Sequence, residues 1–167
     1  MTAGLVTLAG VASPEAAPVP AQGSTPRKTG ESGRAWTPQK IAITRRDRKA
    51  PHPLLSHAIQ SGPLVFLAGI GGWYPEDRPE PGDVKVQIDS ALQAMKMILE
   101  QAGSSMAHVL KVHMTVADPN RNLAPLNEAY AGHFPDPPPV RSYTGCGADQ
   151  MGRDGVLVQI DCIASVQ

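Results

Sequence analysis

The sequence predicts one α+β domain in which two helices pack on one face of a mixed β-sheet. Two observations support this prediction. Short segments alternate apolar and polar residues with the period of a strand, and two longer segments repeat apolar residues at helical spacing. In chain order these segments give β-β-β-α-β-α-β-β. The length of 167 residues fits one such domain with an additional segment.

The additional segment is predicted at the start of the chain. Residues 1–38 are rich in Ala, Pro, Gly, Ser and Thr and have neither helical nor strand periodicity, which is typical of a flexible tail. The mildly apolar stretch 5–12 is short and no Lys or Arg precedes it, which argues against a secretory signal. We therefore predict a tail over residues 1–38 and the folded domain over residues 39–167.

Three strands are predicted before the first helix. The first is Lys40–Thr44, and the next two, Leu54–Gln60 and Leu64–Ala68, flank a Ser-Gly-Pro turn that is typical of a hairpin. A glycine-rich run over residues 69–72 follows, and then a loop that begins with Trp73 and is rich in proline and acid. The glycine spacing does not match a dinucleotide-binding fingerprint, so we predict no nucleotide cofactor.

The middle of the chain predicts helix, strand and helix. Asp83 is a good N-cap for the first helix, apolar residues recur at helical spacing after it, and Gly103 ends it. Residues Val109–Ala117 alternate as a strand. The second helix is predicted over Asn122–Phe134, and the prolines that follow stop it and lead the chain into Arg141 in an extended conformation.

Two strands joined by a polar turn are predicted at the C-terminal end. If they close as a hairpin, Arg141 and Tyr143 lie across from Asp161 and Gln159 on one half-apolar face. A guanidinium, a phenol, a carboxylate and an amide on such a face indicate a binding or catalytic site. A lone arginine on a half-buried strand face requires an anion.

Composition excludes several classes of function. The net charge is zero, so there is no electrostatic footprint for nucleic acid or an anionic membrane, and no apolar run is long enough to span a bilayer. The two cysteines, Cys146 and Cys162, lack metal-ligand spacing and are predicted to be free thiols in a reducing compartment, the cytoplasm. The five histidines also lack such spacing, so neither a metal nor another cofactor is predicted.

Several motifs, in this order and spacing, resemble those of the YjgF/RidA family of reactive-intermediate deaminases. They are Ala68-Gly69-Ile70, the helix from Asp83 to Gly103, His108-Val109-Leu110-Lys111-Val112, Leu126-Asn127-Glu128-Ala129-Tyr130, Pro139-Val140-Arg141-Ser142 and Val158-Gln159-Ile160. The resemblance covers about residues 41–166. Several ordered motifs are a much more specific signal than any one of them.

This resemblance implies a chorismate-mutase-like fold that assembles as a homotrimer, with small-molecule sites in the clefts between subunits. In the family, an arginine binds the substrate carboxylate through two parallel hydrogen bonds, and Arg141 matches this arginine. A glutamate on the family's last strand positions or activates the water that hydrolyses a 2-imino acid. Gln159 stands at that position, and glutamine cannot take a proton from water at neutral pH.

Three further positions depart from the family pattern. Leu55 replaces the tyrosine that opens the first motif, Ala68 replaces the serine before the glycine, and Tyr143 replaces the cysteine two residues after the arginine. The residue that binds the carboxylate therefore matches the family pattern, whereas most of the residues around the hydrolytic step differ from it. Asp161 is a carboxylate on the same predicted face as Gln159; it either replaces the missing base or pairs with a neighbouring cation.

Three functions stay open at this point. The first is an enzyme with an altered site that catalyses dehydration, tautomerisation or conjugate addition with cyclisation of a carbonyl or enol substrate in a biosynthetic (secondary-metabolite) pathway. In it Arg141, Gln159, Tyr143 and His57 are the catalytic candidates, and the substrate-binding candidates are Asn127, Gly69, Ala68, Leu55, Asp161 and Trp73. The second is hydrolysis of 2-imino or enamino acids to 2-oxo acids and ammonia. The third is a metabolite-binding module without chemistry.

Overall fold

The computed structural model describes residues 39–47 and 54–166. The predicted tail over residues 1–38 lies outside the described residues. The described elements are seven strands and two helices: β1 (Ile41–Ile43), β2 (Ala58–Ser61), β3 (Leu64–Leu67), β4 (Ile70–Gly71), α1 (Val84–Gln101), β5 (Val109–Ala117), α2 (Pro119–Tyr130), β6 (Val140–Cys146) and β7 (Val158–Ser165).

The strands form one mixed sheet in the order β1-β2-β3-β7-β5-β6, and β4 pairs with the far end of β7. The neighbours β5 and β6 run parallel, and every other neighbouring pair is antiparallel. Both helices cover one face, whose alternate strand residues are buried, among them Val65, Val112, Met114 and Ile160. The prediction of a mixed sheet with two helices on one face is confirmed.

Helix α1 forms where its caps and apolar spacing predict it. The Asp83 carboxylate accepts a hydrogen bond from the backbone N–H of Val86 at 3.0 Å, which satisfies one of the free donors of the first turn. Gly103 has a φ of +73°, the left-handed conformation that ends many helices. The buried stripe of α1 faces the sheet and contributes the largest share of helix side chains to the core: Val84, Ile88, Ala91, Leu92, Met95, Ile98 and Leu99.

The structure differs from the predicted bounds in three places. Strand β2 begins only at Ala58, and a short strand, β4, lies within the glycine-rich run, for which the sequence predicts no strand. Helix α2 covers Pro119–Tyr130 rather than Asn122–Phe134. Proline is favoured in the first turn of a helix, which explains the earlier start, and Gly132 with a φ of +81° lies just beyond its end.

The predicted hairpin of the last two strands is wrong. Strand β5 lies between β6 and β7 and pairs with both of them. Its residues Val112, Met114 and Val116 are fully buried, so β5 is a central strand. Periodicity shows which face of a strand is buried but not which strands are its neighbours. After β5 the chain forms helix α2 and returns as β6, which runs parallel to β5 at the edge of the sheet.

Candidate functional site

The Arg141 guanidinium is held by two side chains of α2. Its Nη2 donates a hydrogen bond to Oδ1 of Asn127 at 2.8 Å, and its Cζ lies 4.7 Å from the centre of the Tyr130 ring. Asn127 and Tyr130 are three residues apart, a spacing that places both side chains on the same side of a helix. Arg141 itself is exposed on the edge strand β6. Its guanidinium is thus oriented but accessible to an anion. We call Arg141, Asn127 and Tyr130 the arginine cluster.

A buried layer lies beneath the arginine cluster. The Tyr130 hydroxyl is buried and has no hydrogen-bond partner among the described residues, and the Tyr130 ring packs against Phe134 at a centroid distance of 5.2 Å. Burial raises the pKa of the Tyr130 hydroxyl to about 12, and the positive charge of Arg141 opposes that rise. Cys162 is 2% exposed, and burial, reinforced by the charge of Asp161, raises the pKa of its thiol to about 12. Both groups therefore stay neutral at physiological pH.

Gln159 lies on β7, where it pairs with Gly71 of β4 and with Thr115 of β5. Its side chain is exposed and passes directly over Gly69: a Cβ atom added to Gly69 would lie 2.2 Å from Nε2 of Gln159. Only glycine gives the amide this position. No hydrogen bond of the Gln159 side chain is found within the described ranges, so its oxygen and nitrogen are available to a ligand.

A cavity of about 200 Å³ adjoins Gln159. Its walls come from the loop after β4, through Trp73 and Tyr74, and from the loop between β6 and β7, through Met151, Arg153 and Val156. The Tyr74 hydroxyl accepts a hydrogen bond from the backbone N–H of Gly71 at 2.9 Å. The Trp73 indole N–H donates to the carbonyl oxygen of Arg78, also at 2.9 Å, which anchors the loop. We call this space the Gln159 cavity.

The buried side chain of Gln87 on α1 fixes the loop that borders this cavity. Its Nε2 donates to the carbonyl oxygen of Gly155 at 2.7 Å, and its Oε1 accepts from the backbone N–H of Leu157 at 2.8 Å. Gln87 is 0% exposed, so both of its polar atoms need such partners. This amide connects α1 to the start of β7 and so helps to position Gln159.

Arg141 and Gln159 lie on opposite faces of the sheet. Arg141 is in register with the buried Val112, and both belong to the helix-covered face, whereas Gln159 is in register with Thr115 on the open face. The prediction that Arg141, Tyr143, Gln159 and Asp161 share one face is therefore wrong. The inserted strand β5 is the reason, because it changes which residues of β6 and β7 are aligned.

Asp161 shares the open face with His113 rather than with Arg141. The two residues are in register on neighbouring strands, and the His113 ring makes polar contacts with Oγ of Ser142 at 3.1 Å and Oγ1 of Thr144 at 3.4 Å. This row of polar side chains crosses three strands. Tyr143 is on the other face with Arg141, in register with the buried Met114, and is 48% exposed at the sheet edge.

The other predicted site residues lie on the β1–β3 side of the sheet. The His57 ring accepts, through Nδ1, a hydrogen bond from the backbone N–H of Arg45 at 3.5 Å, a contact that suits a structural histidine. Leu55 and Ala68 line a separate open cavity of about 510 Å³ together with Phe66. Ala68 is joined to His57 through their backbones at 2.9 Å. The structure thus divides the predicted residues into an Arg141 group, a Gln159–Gly69 group and a third group, His57, Leu55 and Ala68, beside this separate cavity.

Four contributors to these groups were not predicted as site residues: Tyr130, Tyr74, Gln87 and Arg153. Tyr130 had a signal, because it follows Asn127 at i+3 on an amphipathic helix. The other three meet only through loops and the packing of α1, which sequence periodicity does not describe. Within the described part of the chain no cluster of three or more metal-ligating side chains is found, and no helix there is long and apolar enough to cross a membrane.

Comparison with known proteins gives a consistent result. The family model described as Endoribonuclease L-PSP matches residues 46–166. A RutC family protein of Pyrococcus horikoshii is 36% identical over 118 residues, which are 69% of this chain and 90% of that protein. An Arabidopsis thaliana protein named Reactive Intermediate Deaminase A, chloroplastic, is 34% identical over 121 residues, which are 71% of this chain and 63% of that protein.

The fold comparison agrees with the sequence comparison. The crystal structure of a YjgF/YER057c/UK114 family member from Mycobacterium tuberculosis matches with a TM-score of 0.63 and 27% sequence identity. The match covers 77% of this chain and 100% of that one.

Proposed function

The chain belongs to the YjgF/RidA family, and we propose that it hydrolyses small 2-imino acids to 2-oxo acids and ammonia. The name of the Arabidopsis relative refers to deamination, which supports this reaction class. The observation that carries the proposal is the orientation of Arg141 by Asn127 and Tyr130. A 2-imino acid carries a carboxylate next to its reacting carbon, and an oriented guanidinium binds that group.

The arginine cluster suits a planar carboxylate. Asn127 takes one of the five N–H donors of the guanidinium, and the remaining donors can form two parallel hydrogen bonds to the two carboxylate oxygens. The Tyr130 ring under the guanidinium stabilises the cation without using any of these donors. A lysine would supply the charge but not the paired geometry. Arg141 therefore determines the orientation of the substrate.

A complete site needs two copies of the chain. Arg141 and Gln159 face opposite sides of the sheet within one copy, and β6, which carries Arg141, is an edge strand. We place the reacting carbon between Arg141 of one copy and Gln159 with Gly69 of a neighbouring copy, in a homotrimer. The polar row of His113, Ser142 and Asp161 on the open face then faces other copies rather than bulk water.

Hydrolysis proceeds here without a carboxylate base. The water oxygen forms a bond to C2 of the protonated imine, the C=N electron pair moves to nitrogen, and the resulting carbinolamine loses ammonia as the carbonyl forms. Gln159 Oε1 accepts a hydrogen bond from the attacking water and orients it, but the proton passes to the nitrogen through solvent. Protonated imines react readily with water, so positioning supplies most of the acceleration.

A second candidate function follows from Tyr143 and Gln159 together. Tyr143 is half-exposed two residues after Arg141 on the same face, and Gln159 cannot act as a base. A phenol beside an arginine suits proton transfer in dehydration, tautomerisation or cyclisation of a carbonyl or enol substrate. Such a role would belong to a cytoplasmic biosynthetic pathway and would need no cofactor. The name of the Arabidopsis relative favours the first candidate.

Trapping of free imines tests the proposal. An amino-acid oxidase generates 2-imino acids in the presence of semicarbazide, and the protein is expected to suppress semicarbazone formation. Arg141→Ala should lose at least about 100-fold of this suppression, because an oriented charged contact contributes several kcal/mol. Arg121→Ala is the matched control, since Arg121 is an exposed arginine on α2 outside the site.

The other outcomes separate the alternatives. Equal suppression by Arg141→Ala and the wild type would contradict the proposed carboxylate contact. An absence of suppression in a folded sample that still binds 2-oxo acids would reject the deaminase and leave the metabolite-binding module. An absence of suppression together with turnover of an enolisable 2-oxo acid, lost in Tyr143→Phe, would favour the second candidate.

A further inference from the structure

Arg153 is the cation of the Gln159 cavity, and the proposed function does not use it. It lies in the loop between β6 and β7, and its Cζ is 5.5 Å from the centre of the Tyr74 ring. No hydrogen bond or ion pair of its guanidinium is found among the residues that the structure describes. A guanidinium that rests on an aromatic face keeps all five N–H donors available.

A second arginine, Arg78, lies in the loop after β4, which forms the other wall of the Gln159 cavity, and it has a different role. The Arg78 guanidinium donates to the carbonyl oxygens of Glu80 and Pro81 and to the Ser90 hydroxyl. All of these acceptors are neutral, and they fix the loop that carries Trp73. Arg78 is therefore structural, whereas Arg153 is placed against a cavity with its donors uncommitted.

The composition of the cavity wall selects the ligand. Trp73, Tyr74, Met151 and Val156 supply apolar surface, Gln159 supplies an amide, and Arg153 supplies a positive charge. No carboxylate is among the described lining residues. A ligand with a short methylene chain and an anionic end satisfies both kinds of wall, since the methylenes cover the rings and the anion pairs with the guanidinium.

The size of the cavity indicates a subsite. Its volume of about 200 Å³ is below the roughly 300–1,000 Å³ of a typical whole-ligand site. It adjoins Gln159, where the reacting carbon of the proposed substrate lies. The space therefore holds the part of the substrate that extends beyond that carbon, while the first carboxylate is bound by Arg141.

We infer that Arg153 and the Gln159 cavity form a subsite for a second carboxylate, so that the preferred substrates are 2-imino dicarboxylic acids. The inference rests on the proposed function and names its substrate class. The loop that carries Arg153 is held in place by the two hydrogen bonds of Gln87, so the subsite is already formed without ligand. Arg141 binds the carboxylate next to C2, and Arg153 binds the distal one.

Binding of two 2-oxo acids tests the subsite apart from catalysis. Isothermal titration calorimetry compares 2-oxoglutarate with 2-oxovalerate, which has the same five-carbon chain but lacks the distal carboxylate. The wild type is expected to bind 2-oxoglutarate at least about tenfold more tightly, as one charge-assisted contact provides. In Arg153→Met, which keeps the length and apolar contact of the side chain, the affinity for 2-oxoglutarate should fall to that for 2-oxovalerate.

One variant serves as a control, and three results would contradict the subsite. Arg121→Met removes an exposed arginine elsewhere and should leave both affinities unchanged. Equal binding of the two acids by the wild type, failure of both to bind, or a preference for 2-oxoglutarate that survives in Arg153→Met would each overturn the subsite. If the preference holds and disappears in Arg153→Met while imine trapping shows no hydrolysis, the subsite stands and the proposed function fails.

Discussion

The arginine cluster and the Gln159 region are built differently, although both belong to one proposed site. Arg141 is fixed by a hydrogen bond and by an aromatic ring from the same helix, above a buried layer. The Gln159 amide has no such partner among the described residues. It can occupy its position because Gly69 has no Cβ atom. Binding geometry is thus set by helix packing, whereas the chemistry at Gln159 depends on one adjustable side chain.

This difference indicates which substitutions the fold tolerates. A substitution at Gln159 should leave the core intact, because this side chain is exposed on the surface of the sheet. A change at Tyr130 affects a buried hydroxyl, a neighbouring aromatic ring and the guanidinium together. In the proposed site, the chemistry is therefore easier to alter than the binding of a carboxylate.

After the loss expected for Arg141→Ala, the next largest effect is expected from Gln159→Glu. The carboxylate restores a group that can take a proton from water, and general-base catalysis contributes about 10²–10⁴-fold in many enzymes. Because imine hydrolysis has a low barrier, we expect an increase in kcat of about tenfold or more with little change in KM. The imine-trapping assay measures both constants over a range of oxidase-generated substrate.

Two controls accompany this variant. Thr115→Glu places a carboxylate on the neighbouring strand, in register with Gln159, and should not raise kcat. If Gln159→Glu leaves hydrolysis unchanged while Arg141→Ala abolishes it, the water is not positioned by residue 159. The proposed pairing of Gln159 with the reacting carbon would then be wrong.

The next effect concerns Tyr130 and separates its ring from its hydroxyl. Tyr130→Leu removes the aromatic face under Arg141, a contact worth about 0.5–2 kcal/mol, so KM should rise about fivefold with kcat nearly unchanged. Tyr130→Phe keeps the ring and removes a buried hydroxyl that has no partner in the described structure, so KM should stay at the wild-type value. A rise in KM of the same size in both variants would contradict the role of the ring.

Thermal unfolding provides an independent readout for the same pair. An unsatisfied buried hydroxyl costs about 1–3 kcal/mol, so Tyr130→Phe is expected to be as stable as the wild type or more stable. Tyr130→Leu should lose stability because its contact with Phe134 is also lost. The comparison thus distinguishes positioning of Arg141 from a purely structural role.

A smaller effect is expected from Gly69→Ala. The added methyl group must displace the end of the Gln159 side chain, which is flexible, so the free energy of unfolding should change by less than about 1 kcal/mol. The displaced amide should lower kcat about threefold and leave the Arg141-dependent KM unchanged. In a Gln159→Ala background the same substitution should have no effect on kcat. A full effect in that background would show that Gly69 acts independently of Gln159.

How much of this could be predicted from the sequence differs between the two regions. Caps and periodicity predicted α1 and the central strand β5 because these signals are local. The neighbours of β6 and β7 could not be predicted, since strand order depends on the global path of the chain. Asn127, Arg141 and Gln159 were found through motifs and an arginine that required an anion. Their assignment to opposite faces needed the structure.

The last effect is a pH dependence of stability, expected only above about pH 9, that arises from the layer under the arginine cluster. Burial raises the pKa of the Tyr130 hydroxyl and of the Cys162 thiol to about 12 in the folded protein, from ordinary values of 10.0 and 9.0. Between about pH 9 and pH 12 the unfolded chain therefore binds fewer protons than the folded one. Stability is fully present below about pH 9 and falls as the pH rises, by up to about 1.4 kcal/mol per pH unit for each group.

Chemical denaturation between pH 8 and pH 11 measures this slope. Cys162→Ala removes the thiol that begins to titrate first in the unfolded chain, so its slope above pH 9 should be shallower by about 1.4 kcal/mol per pH unit. Ile160→Val is the matched control, because it removes a methyl group from the same buried face of β7 without removing a titrating group. It should lower stability equally at every pH. An identical slope in Cys162→Ala and the wild type would mean that the Cys162 thiol ionises as readily in the folded protein as in the unfolded chain, and that this layer is open to water.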